Sequence, residues 1–162
     1  MRLGIISDTH GLLRPEVHDV FAKVDRILHA GDVGDEGILD ELQLIAPLTA
    51  VYGNTDGWRL RQRLPDVAEI AIDGFRFVVT HGDRFGSPRP ERLKEAWPDA
   101  DVIVYGHTHR PLITGLPDFS VVLNPGSAGP RRFDLPVTAA IMETEAGIPP
   151  RARIVKLLEA GS

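Results

Sequence analysis

The chain contains no cysteine. That excludes disulfides, thiolate metal sites and a cysteine nucleophile, and it fits a reducing compartment. Positive charge is also in deficit. Eighteen Lys and Arg face 23 Asp and Glu, for a net charge of −5, so no global basic field draws in nucleic acid. No apolar run approaches a membrane span. The opening "MRLGIISDTH" enters a strand-like segment at once, without the apolar stretch and small-residue cleavage site of a signal peptide. The expectation is a cytoplasmic protein with no membrane partner. What remains is an ordinary globular composition, and 162 residues suit one domain spanning 1–162.

Hydrophobic periodicity divides the chain in two. Leu3–Ser7, Arg26–Ala30 and Leu48–Tyr52 read as strands, and they alternate with helical patterns over Pro15–Val24 and Asp35–Ala46. Strand–helix–strand order implies parallel pairing. After Pro65 the pattern changes. Val67–Ile72 and Phe75–Thr80 flank Asp73-Gly74, a strong hairpin signal. A short helix is expected over Arg89–Trp97. Further strands are expected at Val102–Tyr105, Leu112–Leu116, Ser120–Leu123, Val137–Glu143 and Ala152–Leu158. An α/β half followed by a mostly β half suggests two mixed sheets packed face to face, with helices outside.

The six histidines are unevenly spent. "VIVYGHTHRP" closes a strand with His107 and His109. Four other short motifs also sit at predicted strand ends: "SDTHG", "AGDVG", "YGNTD" and "THGD". Together they offer Asp8, His10, Asp32, Asn54, His81, His107 and His109 as metal ligands. Any one of these motifs is common by chance, and "GD" or "GN" alone is usually a turn. Five of them, each where a strand ends, point to one site at the carboxyl ends of the strands. Imidazole, carboxylate and amide oxygen suit Mn, Fe, Zn or Ni. Seven ligands exceed the need of one tetrahedral ion but suit two divalent metal ions sharing a carboxylate. Two such ions outweigh the charge of Asp8, Asp32 and a hydroxide, which leaves a positive surplus for an anionic substrate. His18 reads as helix surface and His29 as a core histidine. Arg131 and Arg132 are equally consistent with a phosphate contact and with a solvated turn.

The order D-x-H, GD, GN, H, GH-x-H resembles the calcineurin-like metallophosphoesterase superfamily. The small size and "NPGS" at Asn124–Ser127 resemble its compact prokaryotic phosphodiesterase branch. The resemblance implies a four-layer α/β/β/α sandwich with a dinuclear centre between the sheets. It implies that Asp8, His10, Asp32 and His109 hold one metal, and that Asp32, Asn54, His81 and His107 hold the other. It also implies hydrolysis of a small phosphodiester by a hydroxide shared between the metals, with Asp32, Asn54 and His81 at the catalytic core. Many members of the superfamily carry His directly after the motif Asn, where it contacts phosphate. Here that position is Thr55, which puts efficient monoesterase activity in doubt. A protein-interaction or metal-binding scaffold of the same fold is the alternative, and a nuclease is disfavoured by the acidic chain. Self-association is compatible with the sequence.

Overall fold

The computed structural model describes residues 1–158; the end of the expected domain, 159–162, lies outside the described residues. One sheet is built from β1 (Arg2–Ile6), β2 (Arg26–His29), β3 (Leu48–Ala50), β9 (Val137–Glu145) and β10 (Ile148–Leu158), in the order β10-β9-β1-β2-β3. The other contains β4 (Val67–Ile72), β5 (Phe75–Thr80), β6 (Val102–Val104), β7 (Leu112–Gly115) and β8 (Val121–Asn124), in the order β4-β5-β6-β8-β7. The helices are α1 (Pro15–Val20), α2 (Glu36–Ile45), α3 (Trp58–Arg63) and α4 (Pro90–Ala96).

Strand alternation sorts the apolar residues into three layers of core. Leu3, Ile5, Leu28, Phe77, Val79, Val102, Val104, Ala140 and Met142 form one cluster between the sheets. Their sequence neighbours Ile6, Ile27, Ala139 and Ile141 point the other way and pack with Val17, Leu39 and Leu42 of α1 and α2. Val78, Ile103 and Val122 turn outward onto Leu93 of α4. The result is the expected α/β/β/α sandwich of two mixed sheets. No helix among the described residues is long and apolar enough to cross a membrane.

The topology concentrates strand ends. β1, β2 and β3 run parallel in one sheet, and β5, β6 and β8 in the other. Each of the five motifs that carry the expected ligands follows directly on one of these parallel strands, at its carboxyl end. Antiparallel β9, β10, β4 and β7 close the flanks.

Three elements differ from the sequence reading. α1 stops at Val20, short of Val24, because Phe21 leaves the helical conformation to sit under Gly4, where it is fully buried. α3 is a helix that periodicity does not signal: of its six residues only Leu60 is buried. Pro65 sets its end, because the residue before a proline is driven to extended backbone, and Leu64 has φ −120° and ψ 147°. β10 begins at Ile148, before the expected Ala152, and runs through Pro149 and Pro150. This is an edge strand with an irregularity between Ile148 and Arg151, where missing N–H donors are tolerated.

Candidate metal centre

Two carboxylates lie at the heart of the strand-end loops, and each has one oxygen committed to the protein. Asp8 Oδ2 accepts from Ser7 Oγ at 2.7 Å and from the His107 N–H at 3.2 Å. Asp32 Oδ1 accepts from the Thr55 N–H at 3.0 Å. The second oxygen of each turns toward imidazoles. Asp8 Oδ1 lies 3.2 Å from His109 Nε2, 3.6 Å from His10 Nε2 and 4.0 Å from His81 Nε2. Asp32 Oδ2 lies 3.1 Å from His81 Nε2 and 3.8 Å from His10 Nε2. His10 Nε2 and His109 Nε2 are 3.3 Å apart.

These contacts are close, but they are not all hydrogen bonds. Asp8 Oδ1 and His81 Nε2 are buried polar atoms with no hydrogen-bond partner, although carboxylate–imidazole distances around them are short. Buried groups left in this state are costly unless something else satisfies them. The atoms converge on common points rather than on each other. His81 Nδ1–H donates to the Ala30 carbonyl at 2.8 Å, which aims Nε2 inward. That is the arrangement typical of a metal-ligating histidine. The donor atoms form two groups, each within 4.8 Å: Asp8, His10 and His109, and Asp8, Asp32 and His81. A divalent cation of the Mn, Ni, Fe or Zn type fits this oxygen and nitrogen donor set. His107 adjoins them, its ring edge-on to His81 with centroids 5.2 Å apart. Asn54 is exposed, on the loop after β3.

The backbone is bent to make this possible. Asp8, His10, Asp32, His107 and His109 all have positive φ, between 46° and 72°. Left-handed backbone costs a non-glycine residue about 1–2 kcal/mol, and such strain gathers at functional sites. Gly53 and Gly106 allow the loops to touch. A Cβ at Gly53 would collide with Asp32 Oδ1, and one at Gly106 would collide with Ser7 Oγ and lie 2.7 Å from Asp8 Oδ2.

Electrostatics follow the geometry. Burial opposes the charge of Asp8, but His10, His109, His81 and Ser7 hold its carboxyl well below the usual range. Asp32 is likewise lowered against burial, through His81 and the Thr55 amide. Burial disfavours a charged His81, yet Asp32 and Asp8 outweigh it and push its pKa up to about 9. The Nδ1 proton is held by Ala30, so a cation entering the cluster displaces the proton on Nε2.

Several residues that matter here were not singled out as site residues in the sequence. His29 is indeed a core histidine, fully buried, but both ring nitrogens serve the site loops. Nδ1 accepts from the Gly31 N–H at 3.1 Å, so Nε2 carries the proton and donates to Thr9 Oγ1 at 3.0 Å. The Thr9 hydroxyl in turn donates to the Val33 carbonyl at 2.8 Å. Asp56 and Arg61 tie the loop after β3; no local pattern marks Arg61, and only one marks Asp56. A carboxylate two residues beyond a GN turn was the one available signal. His18 lies on the α1 surface, with Nε2 2.7 Å from Glu41 Oε1. Arg131 is half-buried and Arg132 exposed, on the turn after "NPGSAGP".

The buried state of His29 makes stability depend on pH. Burial lowers its pKa from the ordinary 6.5 to about 4, against the opposing pull of Asp8 and Asp56. Between those values the unfolded chain binds a proton that the folded chain refuses, so stability falls as pH drops through the window. The loss approaches about 3 kcal/mol at its lower end. His81 adds no slope there, because below 6.5 it is protonated in both states. Urea unfolding of chelated protein at about pH 7 and about pH 4.5 measures the effect, and His29→Gln should flatten it. An unchanged slope in that variant would assign the pH dependence elsewhere.

Comparison with known proteins agrees with this geometry. The calcineurin-like phosphoesterase superfamily domain matches residues 1–147. A probable metallophosphoesterase of Methanothermobacter thermautotrophicus is 40% identical over 134 residues, which is 78% of this chain and 77% of the relative. The phosphodiesterase MJ0936 of Methanocaldococcus jannaschii is 33% identical over 162 residues, 90% of this chain and 94% of the relative. Among solved structures, vacuolar protein sorting 29 of Cryptosporidium parvum shares the fold, with a TM-score of 0.80 at 19% identity over 96% of each chain. The strand-end motifs, the sandwich and a domain match over most of the chain agree: the protein belongs to the calcineurin-like phosphoesterase superfamily.

Proposed function

We propose that the protein is a dinuclear metal-dependent phosphodiesterase acting on a small phosphodiester. Asp8, His10, Asp32 and His109 would hold one divalent ion, and Asp32, Asn54, His81 and His107 the other, within one domain. The observation that carries this reading is the division of labour within Asp8, Asp32 and His81. One atom of each is fixed by a protein hydrogen bond, and the other points unpaired or loosely paired into the cluster. Asp32 suits the shared role, since its free oxygen lies within 3.8 Å of both His10 and His81 nitrogens.

Two divalent ions held there would polarise the phosphoryl oxygens and lower the pKa of a coordinated water, worth roughly 12 kcal/mol at neutral pH. The chain's own residues do the rest. Ser7, the His107 amide and the Thr55 amide keep both carboxylates oriented and spare the site any reorganisation. Neutral imidazole and amide donors leave the positive surplus that attracts a phosphodiester anion. Asn54 and Thr55 are exposed, so the ester group of a bound substrate would sit at the solvent edge.

The test is a panel of phosphodiesters, cyclic nucleotides and monoesters, assayed with Mn, Ni, Zn, Fe and Mg in turn. Purified protein should hold about two transition-metal ions per chain, and chelation should abolish diesterase activity. Elemental analysis showing no bound metal, with no gain on adding Mn or Ni, would sink this reading.

A further inference from the structure

Asp56 belongs to neither donor group, yet the residue is only 4% exposed and its carboxylate is wholly engaged. Oδ2 accepts from the Val33 N–H at 3.1 Å and the Gly53 N–H at 2.9 Å, and Oδ1 accepts from the Gly34 N–H at 2.9 Å. These amides lie within two residues of two proposed ligands. Val33 and Gly34 follow Asp32, and Gly53 precedes Asn54. We propose that Asp56 is the positioning residue of the centre: it clamps the loop after β2 to the loop after β3 and so sets where Asp32 and Asn54 stand relative to each other. The inference rests on the dinuclear reading above.

The loop being clamped needs holding. Gly31, Asp32 and Gly34 all have positive φ, at 97°, 53° and 91°. A run of that kind has no helix or sheet ladder to satisfy its N–H groups, and a buried carboxylate collecting two of them, at Val33 and Gly34, meets part of that need. Asp56 is itself fixed from α3. Arg61 Nε donates to the Asp56 carbonyl at 2.7 Å, Nη2 donates to the Asn54 carbonyl at 3.1 Å, and the guanidinium stacks 4.8 Å from the Tyr52 ring centre. A continuous path therefore runs from Arg61 through Asp56 to the backbone on either side of the proposed metal-binding residues.

Asp56→Asn tests this at constant volume. Its amide nitrogen must face at least one main-chain N–H, so one arm of the clamp becomes repulsive. Loss of a group that supports a metal ligand typically costs about 10–100-fold in metal affinity. Titration of chelated protein with Mn or Zn, followed calorimetrically, should show two ions in the wild type. In Asp56→Asn both ions should weaken, since Asp32 is proposed to serve both, but the ion that also uses Asn54 should weaken the more, by about 10–100-fold. Excess metal should restore kcat. Arg61→Ala, at an exposed side chain, should weaken the same ion by a smaller factor, and it serves if Asp56→Asn does not fold. Two ions bound at wild-type affinity in the variants would overturn the inference. So would equal weakening of both ions with a lowered Tm of the metal-free protein, which would assign Asp56 a general structural role. A wild type that binds no metal would instead overturn the dinuclear reading.

Discussion

Replacing Asp32 by Asn should lower kcat/KM on a phosphodiester by more than about 100-fold, exceeding the usual loss from a supporting residue. The near-isosteric amide tolerates the positive φ of this position, 53°, because Asn enters left-handed backbone at small cost. Its oxygen accepts from the Thr55 N–H in place of Oδ1. Its nitrogen then faces His81 and His10, where it has N–H groups to donate and no lone pair to offer. Both proposed ions lose a ligand while the fold stands. His18→Ala is the control. That side chain is exposed and pairs with Glu41, far from any ligand motif, and its loss should leave kcat/KM within about two-fold. Steady-state kinetics on both variants, with metal content measured alongside, decide the matter. Comparable losses in the two would mean that the ligand assignment is wrong.

Thr55 sets the second large effect. Its backbone N–H orients Asp32, its hydroxyl also reaches that carboxylate, and the residue is exposed. A threonine hydroxyl holds its proton too tightly to serve as a general acid near neutral pH. General acid catalysis is worth about 10²–10⁴-fold, or about 3–5 kcal/mol. That is well below the roughly 12 kcal/mol assigned to activation of water by a divalent ion. Activity should therefore survive without the acid, biased toward leaving groups that depart unprotonated. Aryl phosphodiesters should be cleaved far faster than alkyl phosphate monoesters. Thr55→His keeps the amide that holds Asp32 and adds a proton donor, and should raise kcat/KM for alkyl monoesters by about 10²-fold. A wild-type preference for alkyl monoesters would show that some other residue supplies the proton.

The motifs were legible because each ligand must follow a strand closely, and the tight turns there need glycine beside the ligand. That constraint is local and leaves a local pattern, as at Gly31-Asp32 and Gly106-His107. The two sheets were legible for the same kind of reason, since alternation such as Phe77, Val78, Val79 sends side chains to opposite faces. α3 was not legible, because a six-residue helix with one buried residue carries no period. The full extent of β10 was masked by Pro149 and Pro150, which only an edge position permits.

By itself the sequence determined the sandwich, the order of its strands and the seven residues that reach its strand ends. Those follow from side-chain type and spacing along the chain. Only the tertiary structure decided which oxygen of Asp8 and of Asp32 stays free, that His29 is neutral and joins two loops, and that Asp56 grips the amides beside Asp32 and Asn54. Each of these depends on hydrogen bonds between loops brought together from different strands, as between Asp56 and Gly34 or between His107 and Asp8. A bond of that kind has no period and no neighbouring signature, so it exists only once the strands have packed.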